Sequence, residues 1–518
     1  MSRKYRIMLA VLFLAAFFGY RYFSEHRKSA DSGADTVATA KDAPPVKQRM
    51  LGSIAFKPCT LAPQLGASNV EAQCGSLPVA ENPAQPEGRK IALNIAWIPA
   101  DEDGETAPDP VFMLAGGPGQ SATETYPMVA PAFREISKTR HVILVDQRGT
   151  GKSNPLNCKE TPADDNMPAD EGAMLEATRA MTTRCLETLS KKADLRFYTT
   201  TDGVRDLDAV RKAIGAEQIN LIGISYGTRV AQQYAMRHPQ STRSIVLDSV
   251  APNTIYLGND FARNLESALD LQFAQCGKTA GCAKALGDPR KRLDSLMATL
   301  KADPPMVDYR DASSGEAKRE RLLPGHVAGL ARMYSYAPVM AAVLPLLLNE
   351  GAQGHYAGLM ALSEMLSGSM SEQMAFGMQL SVICSEDADG LKRDPDMDDS
   401  LLGNMLVSGL AEQCRLWPKG DRPADFHSPL ASDVPALLLS GELDPVTPPS
   451  YAESIVKHLP NGRALVLHGQ GHNVIGAGCM PKLFAQFVET ADARSLDAKC
   501  LDTLAYTPPF TSFNGWEP

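Results

Sequence analysis

Several marks of other protein classes are missing from this sequence. It has no Cys-x-x-Cys, and its nine histidines are scattered, which argues against a zinc site. It has no basic surplus: the formal charge is −9. Beyond the first 28 residues, which hold six Lys/Arg and one Glu, 45 basic residues face 59 acidic ones. A nucleic-acid binder usually presents a basic face, so nucleic acid is not expected as a partner. A phosphate-binding loop is also absent. Gly149-Thr150-Gly151-Lys152-Ser153 comes nearest, but it lacks the leading glycine five positions before Gly151, where Asp146 stands. No internal repeat is visible, and the longest apolar run is twelve residues, Ile7 to Phe18. What remains is a globular composition, 44% apolar and 21% charged. At 518 residues the chain is too long for one ordinary core, and two to four domains are expected.

Arg3, Lys4 and Arg6 precede the twelve-residue run, which is the pattern of an export signal. Ala38-Thr39-Ala40, the first Ala-x-Ala after it, lies far beyond it for cleavage. With Gly19, Tyr20, Tyr22 and Phe23 added, and Arg21 snorkelling, the stretch 7–23 reaches the lower limit for a membrane span. An uncleaved anchor is therefore favoured over a removed signal peptide within residues 1–28, and a polar linker follows over 29–50. Export would place the body in the periplasm or outside, where disulfides are permitted. The ten cysteines are an even number. Closing the shortest loops pairs Cys59–Cys74, Cys158–Cys185, Cys276–Cys282, Cys384–Cys414 and Cys479–Cys500. Roughly a thousand connectivities are open to ten cysteines, and free buried thiols are the competing reading.

From Gly52 onward, short β-branched runs alternate with helical patterns, the form of a mostly parallel α/β sheet. The expected strands are Ile91–Ile98, Val111–Ala115, His141–Asp146, Gln218–Ile224, Ser244–Val250, Ala436–Ser440 and Ala464–Leu467. Expected helices include Thr201–Ile214, stopped by Gly215, and Tyr226–Arg237 before Pro239. About 185 residues separate the strand ending at Val250 from the one starting at Ala436, where a few would suffice. This insertion, residues 254–430, carries helical patterns at Val327–Leu348 and Tyr356–Ile383 and reads as a helical cap. The α/β core is then split into 51–253 and 431–518. The cap holds eleven of the 21 methionines, either an adaptable ligand surface or ordinary core filler.

Gly223-Ile224-Ser225-Tyr226-Gly227 is the only G-x-S-x-G. The match alone is weak, but it follows a strand and opens a helix, as a nucleophile elbow requires. A serine needs a base to take its proton, and the base needs a carboxylate to fix its tautomer. In the order Ser…Asp…His, Asp444 falls in the loop after the strand Ala436–Ser440, and His472 in the loop Gly469-Gln470-Gly471-His472-Asn473. Glu442 and His468 are the rivals, each closer to its strand. Ala115-Gly116-Gly117-Pro118-Gly119-Gln120-Ser121 lets backbone N–H groups approach a reacting carbonyl. Gly117 is favoured over Gly116 as the first oxyanion donor, and Tyr226 is the second. Ser225 excludes dehalogenase and epoxide hydrolase chemistry, which need a carboxylate nucleophile at the elbow.

Gly116 to Ser121, Asp146-Gln147-Arg148-Gly149-Thr150-Gly151-Lys152-Ser153 and the serine elbow resemble the α/β-hydrolase peptidases of the prolyl iminopeptidase and secreted tripeptidyl aminopeptidase group. The resemblance runs through Asp444 and His472 to Pro508-Pro509-Phe510-Thr511-Ser512-Phe513. Ala115 departs from it, standing where many relatives have histidine. The resemblance implies an α/β-hydrolase fold with its cap between the sixth and seventh sheet strands, and a structural role for the segment of Arg148. It also implies a peptide substrate, with no metal and no cofactor. An aminopeptidase must compensate the charge of a free α-amine, and the resembling enzymes do so with cap carboxylates. Glu386, with Asp387 second, is the candidate here; two solvated acids at a helix end is the competing reading. A carboxylesterase with the same triad and a non-catalytic binding protein on a hydrolase scaffold are the alternatives.

Overall fold

The computed structural model describes residues 48–63, 67–101, 105–158, 171–312 and 314–515. The export segment 1–28, with its apolar stretch 7–23, and all but the end of the linker lie outside them. Among the described residues no helix is long and apolar enough to cross a membrane.

Among the described residues twelve strands occur in chain order: β1 (Arg49–Leu51), β2 (Ile54–Leu61), β3 (Val70–Ala80), β4 (Lys90–Ile98), β5 (Val111–Leu114), β6 (Val142–Val145), β7 (Ile219–Ile224), β8 (Thr242–Asp248), β9 (Met306–Arg310), β10 (Ala317–Arg321), β11 (Ala436–Gly441) and β12 (Gly462–Leu467). Ten of them form one sheet in the order β1-β2-β3-β4-β6-β5-β7-β8-β11-β12, while β9 and β10 pair only with each other. The sheet is antiparallel from β1 to β6 and parallel from β6 to β12. Strands β5 to β8 and β11 are almost wholly buried, as expected of parallel strands covered on both faces.

All seven expected strands are present. The three N-terminal ones are additional, because β2 reads Ile-Ala-Phe-Lys-Pro-Cys-Thr-Leu, half exposed and interrupted by proline. Residues 49 and 50, assigned to the linker, are in β1, so the linker ends earlier. The helices that matter for the site are α1 (Ala122–Val129), α2 (Glu171–Leu189), α3 (Thr200–Ala213), α4 (Tyr226–Arg237), α5 (Phe261–Lys278), α6 (Pro324–Tyr334), α7 (Phe376–Glu386), α8 (Met405–Leu416) and α9 (Met480–Thr490). A capping box starts α3: the Thr199 hydroxyl accepts from Asp202 N at 3.2 Å, and Asp202 Oδ2 accepts from Thr199 N at 3.4 Å.

The long insertion lies between β8 and β11, the eighth and ninth strands of the sheet. Leaving out β1 and β2, they are the sixth and seventh. The pattern Val327–Leu348 is three helices, not one, each opened by a proline in its first turn. The pattern Tyr356–Ile383 breaks at Met374 and Ala375 into two. The insertion also divides by packing. Leu265, Leu269, Leu296, Leu330, Leu348 and Met360 form a core of their own. By contrast, Met378, Val382, Ile383 and Cys384 of α7, with Cys414 and Trp417, join the main core beside Tyr226 and Val230. That packing decides the fate of the two acids at the end of α7.

All ten cysteines are bonded, in the five successive pairs. Free buried thiols are thereby excluded. Cys384–Cys414 joins α7 to α8, and Cys479–Cys500 ties the start of α9 to the C-terminal segment.

Candidate active site

Ser225 stands where β7 ends and α4 begins, with φ 56° and ψ −122°. A non-glycine residue held there is strained, and such strain is characteristic of functional turns. The flanking glycines make the turn sterically feasible. A Cβ on Gly223 would lie 2.3 Å from Gly227 O, and one on Gly227 would lie 2.3 Å from Leu114 O.

His472 Nδ1 lies 2.8 Å from Asp444 Oδ2. Asp444 is fully buried, and its other bonds fix it: Oδ1 accepts from the backbone N–H groups of Val446 and Thr447, both at 2.9 Å, and Oδ2 from the Thr447 hydroxyl at 2.8 Å. Burial alone would raise its pKa, but His472 and these donors prevail and hold the carboxyl below its usual range. For His472 the balance is reversed. Burial would lower the imidazole pKa, and the Asp444 carboxylate overrides it and raises it above 6.5. The rivals pair with each other instead: His468 Nδ1 is 2.8 Å from Glu442 Oε2, and Glu442 Oε1 accepts from the Tyr506 hydroxyl.

Asp248, at the end of β8, joins the serine and histidine loops. Its backbone carbonyl accepts from Ser225 N at 2.9 Å. Its carboxylate accepts from Val474 N and Ile475 N, both at 2.9 Å, while the neighbouring Ser249 hydroxyl takes Asn473 N at 2.7 Å. Three successive amides behind His472 are thus held by one dipeptide. Burial pushes the Asp248 carboxyl up to about 6, against the pull of the two amides. The cap contributes too: Tyr336, just after α6, accepts from His472 N at 2.8 Å, and its ring lies 5.0 Å from the imidazole. Sequence reasoning missed Thr447, Asp248, Ser249 and Tyr336. Only Thr447 had a local signal, a side chain three residues after an aspartate that could return a hydrogen bond to it.

Gly117, Ser225 and Tyr226 line one narrow cleft, which encloses about 30 Å³ and also meets Asp260, Thr447 and Tyr451. Neither the Gly117 nor the Tyr226 backbone N–H is used by an acceptor among the described residues. The glycine-rich loop is secured by Asp146, which accepts from the Ser121 hydroxyl at 2.7 Å and from Thr123 N at 3.0 Å. Arg148 is enclosed in the fold, with Nε and Nη2 both 2.7 Å from Asp206.

Glu386 and Asp387 require a correction. Neither lines the cleft, and both are fully buried. Asp387 is paired with Arg229 at 2.9 Å, both side chains being 0% exposed. Glu386 takes Thr200 N at 2.6 Å and the Thr200 hydroxyl at 2.8 Å. Burial, reinforced by Asp387, lifts its carboxyl to about 8, so at neutral pH it carries little charge to offer an amine. The cause is the docking of α7 against the main core rather than over the cleft.

A serine at a strained strand-to-helix turn, a histidine–aspartate pair in the two loops that follow, and a cap between them define an α/β hydrolase. The family "alpha/beta hydrolase fold" matches residues 109–285, and the family "TAP-like protein" matches residues 399–500. The chain has the α/β-hydrolase fold, and these matches support the resemblance of its motifs to the prolyl iminopeptidase and tripeptidyl aminopeptidase group. Serine protease Hip1 of Mycobacterium tuberculosis (strain ATCC 25618 / H37Rv) is 26% identical over 467 residues, 83% of this chain and 87% of that one. Tripeptidyl aminopeptidase of Streptomyces lividans is 30% identical over 190 residues, 34% of this chain and 35% of that one. Carboxylesterase B of Mycobacterium tuberculosis (strain CDC 1551 / Oshkosh) is 25% identical over 443 residues, 79% and 82% of the two chains.

The titration of the pair gives a pH test. A protonated imidazole cannot accept the serine proton, so kcat/KM should fall as pH drops through the His472 pKa, with a midpoint above 6.5. Asp444→Asn removes the pull that raises this pKa and leaves the burial that lowers it. The midpoint of the residual activity should therefore move down, and a pH–rate profile of both forms checks the direction.

Proposed function

We propose that the chain is an exported serine aminopeptidase, releasing residues or short peptides from the N-terminus of peptides. Ser225 attacks the scissile carbonyl while His472 takes its proton, and Asp444 holds the imidazole tautomer and stabilises its charged form. The amides of Gly117 and Tyr226 receive the oxyanion. The imidazolium then protonates the leaving amine, and water, activated by the same histidine, hydrolyses the acyl-enzyme. The cap, residues 254–430, decides which acyl groups reach the serine. The observation that carries the reading is the strained Ser225 elbow sharing Asp248 with the loop of the His472–Asp444 pair.

The peptidase part is supported by the names of the Hip1 and tripeptidyl aminopeptidase relatives, and export by five disulfides. Residues 7–23 are then the signal or its membrane anchor. The second reading is a carboxylesterase, favoured by the carboxylesterase B relative, since a triad does not itself separate acyl–oxygen from acyl–nitrogen cleavage. A panel of aminoacyl, tripeptidyl and N-blocked fluorogenic amides beside simple esters decides between them. Free-amine amides should be turned over. Hydrolysis of esters alone would overturn the peptidase reading in favour of the esterase.

A further inference from the structure

One wall of the cleft beside Ser225 is a stretch of irregular backbone, which lines it through Ala251, Ile255, Tyr256, Leu257 and Gly258. Its own turns are long, with Ile255 N 3.4 Å from Pro252 O and Asn259 N 3.2 Å from Tyr256 O. Irregular backbone next to a buried site must have its polar groups satisfied from elsewhere. Charged side chains do so here. Arg229 Nη2 donates to Ile255 O at 2.7 Å and to Pro252 O at 3.3 Å, and Asp387 accepts from Leu257 N. His427, half-buried, supplies a third tie, with Nδ1 2.7 Å from Asn253 O.

The other ring nitrogen of His427, Nε2, lies 2.8 Å from Glu386 O at the end of α7. Both partners are carbonyl oxygens, which only accept. A neutral imidazole has one N–H and one lone pair, so it could serve one carbonyl and would set its lone pair against the other. Both contacts are hydrogen bonds only when the ring carries two protons. The surroundings suit that charge. The Tyr256 ring lies 4.4 Å from the imidazole. Asp387 and Asp389 act on it electrostatically, although each also pairs with a guanidinium, Arg229 and Arg422 respectively. Arg422 opposes the charge, since it also donates to Glu386 O. The Glu386 carboxyl faces Thr200, and Asp425 pairs with Arg237.

We infer that His427 is a positioning residue: as an imidazolium it ties Asn253 to the end of α7 and backs the Tyr256 ring, fixing the wall that limits the acyl group on Ser225. The inference rests on the proposed role of Ser225 and not on the peptidase reading. The cleft's free space of about 30 Å³ holds little more than a methyl group, so a hexanoyl chain must displace the wall and an acetyl group need not. Loss of one proton from His427 removes one of its two ties and loosens the wall.

The experiment joins a spectrum to a selectivity ratio. In ¹H–¹⁵N spectra of the histidine side chains, the signal missing from His427→Gln should show both ring nitrogens protonated at neutral pH. The kcat/KM of p-nitrophenyl hexanoate, divided by that of p-nitrophenyl acetate, is then followed as pH rises. Both esters use one triad, so the titration of His472 cancels. The ratio should rise at least threefold, mainly through KM for hexanoate, with the midpoint at which the spectrum shows His427 losing its proton. In His427→Gln it should be high and flat, which separates His427 from the nearby carboxyl of Glu386. A singly protonated ring at neutral pH, or a ratio that ignores its titration, overturns the inference. If neither ester is turned over, the serine-hydrolase reading fails and the spectrum decides the state of His427. Should His427→Gln fail to fold, the wild-type spectrum and ratio still decide.

Discussion

Ser225→Ala is expected to lower kcat by on the order of 10⁶-fold, leaving a residual rate above that of water. The size follows from how much of the site depends on this one hydroxyl. The backbone at Ser225 is held at φ 56° between two glycines that tolerate no Cβ, so no neighbouring side chain can take its place. Removing the hydroxyl leaves the His472–Asp444 pair and the amides of Gly117 and Tyr226 without a nucleophile to serve. Those amides keep some stabilisation of a tetrahedral intermediate formed by water, which is the source of the residual rate. Substrate binding should persist, so KM should change far less than kcat. A variant with near-normal turnover would remove Ser225 from the chemistry.

The second large effect is on stability. Asp387→Ala should destabilise the fold by about 3–5 kcal/mol, because it leaves a buried guanidinium without its counter-ion. Arg229 is 0% exposed, with Nη1 at 3.1 and 2.9 Å from the two Asp387 oxygens and Nη2 at 2.7 Å from Ile255 O. Asp387→Asn, which keeps the shape and one acceptor, should cost less. A lowered midpoint of urea unfolding is the readout. Unchanged stability with a raised KM for free-amine peptides would return Asp387 to substrate recognition.

The contrast between Asp387 and Asp444 shows what could be read from the residues alone. Asp444 and His472 were legible because each follows a strand that is apolar on both faces, and a loop after such a strand opens at the carboxyl edge of the sheet. Local sequence and position in the fold agree there. Glu386 and Asp387 were misplaced because their setting is decided by packing from distant segments: Thr200 and Arg229 meet them across more than 150 positions of chain. The apolar run before them looked like a cap helix, yet α7 packs against α2 and α8 and shares the main core. Strands β2 and β3 were hidden by proline, cysteine and exposed polar residues, and β1 by being only three residues long.

The most direct measurement is covalent. A serine-directed phosphonate added to the folded protein, followed by proteolysis and mass spectrometry, reports which oxygen is activated by a base. The expected result is one label per chain on Ser225, lost in Ser225→Ala and strongly slowed in His472→Ala. A label on any other residue, or undiminished labelling of Ser225→Ala, would contradict a nucleophile at the β7–α4 elbow and with it the serine-hydrolase mechanism.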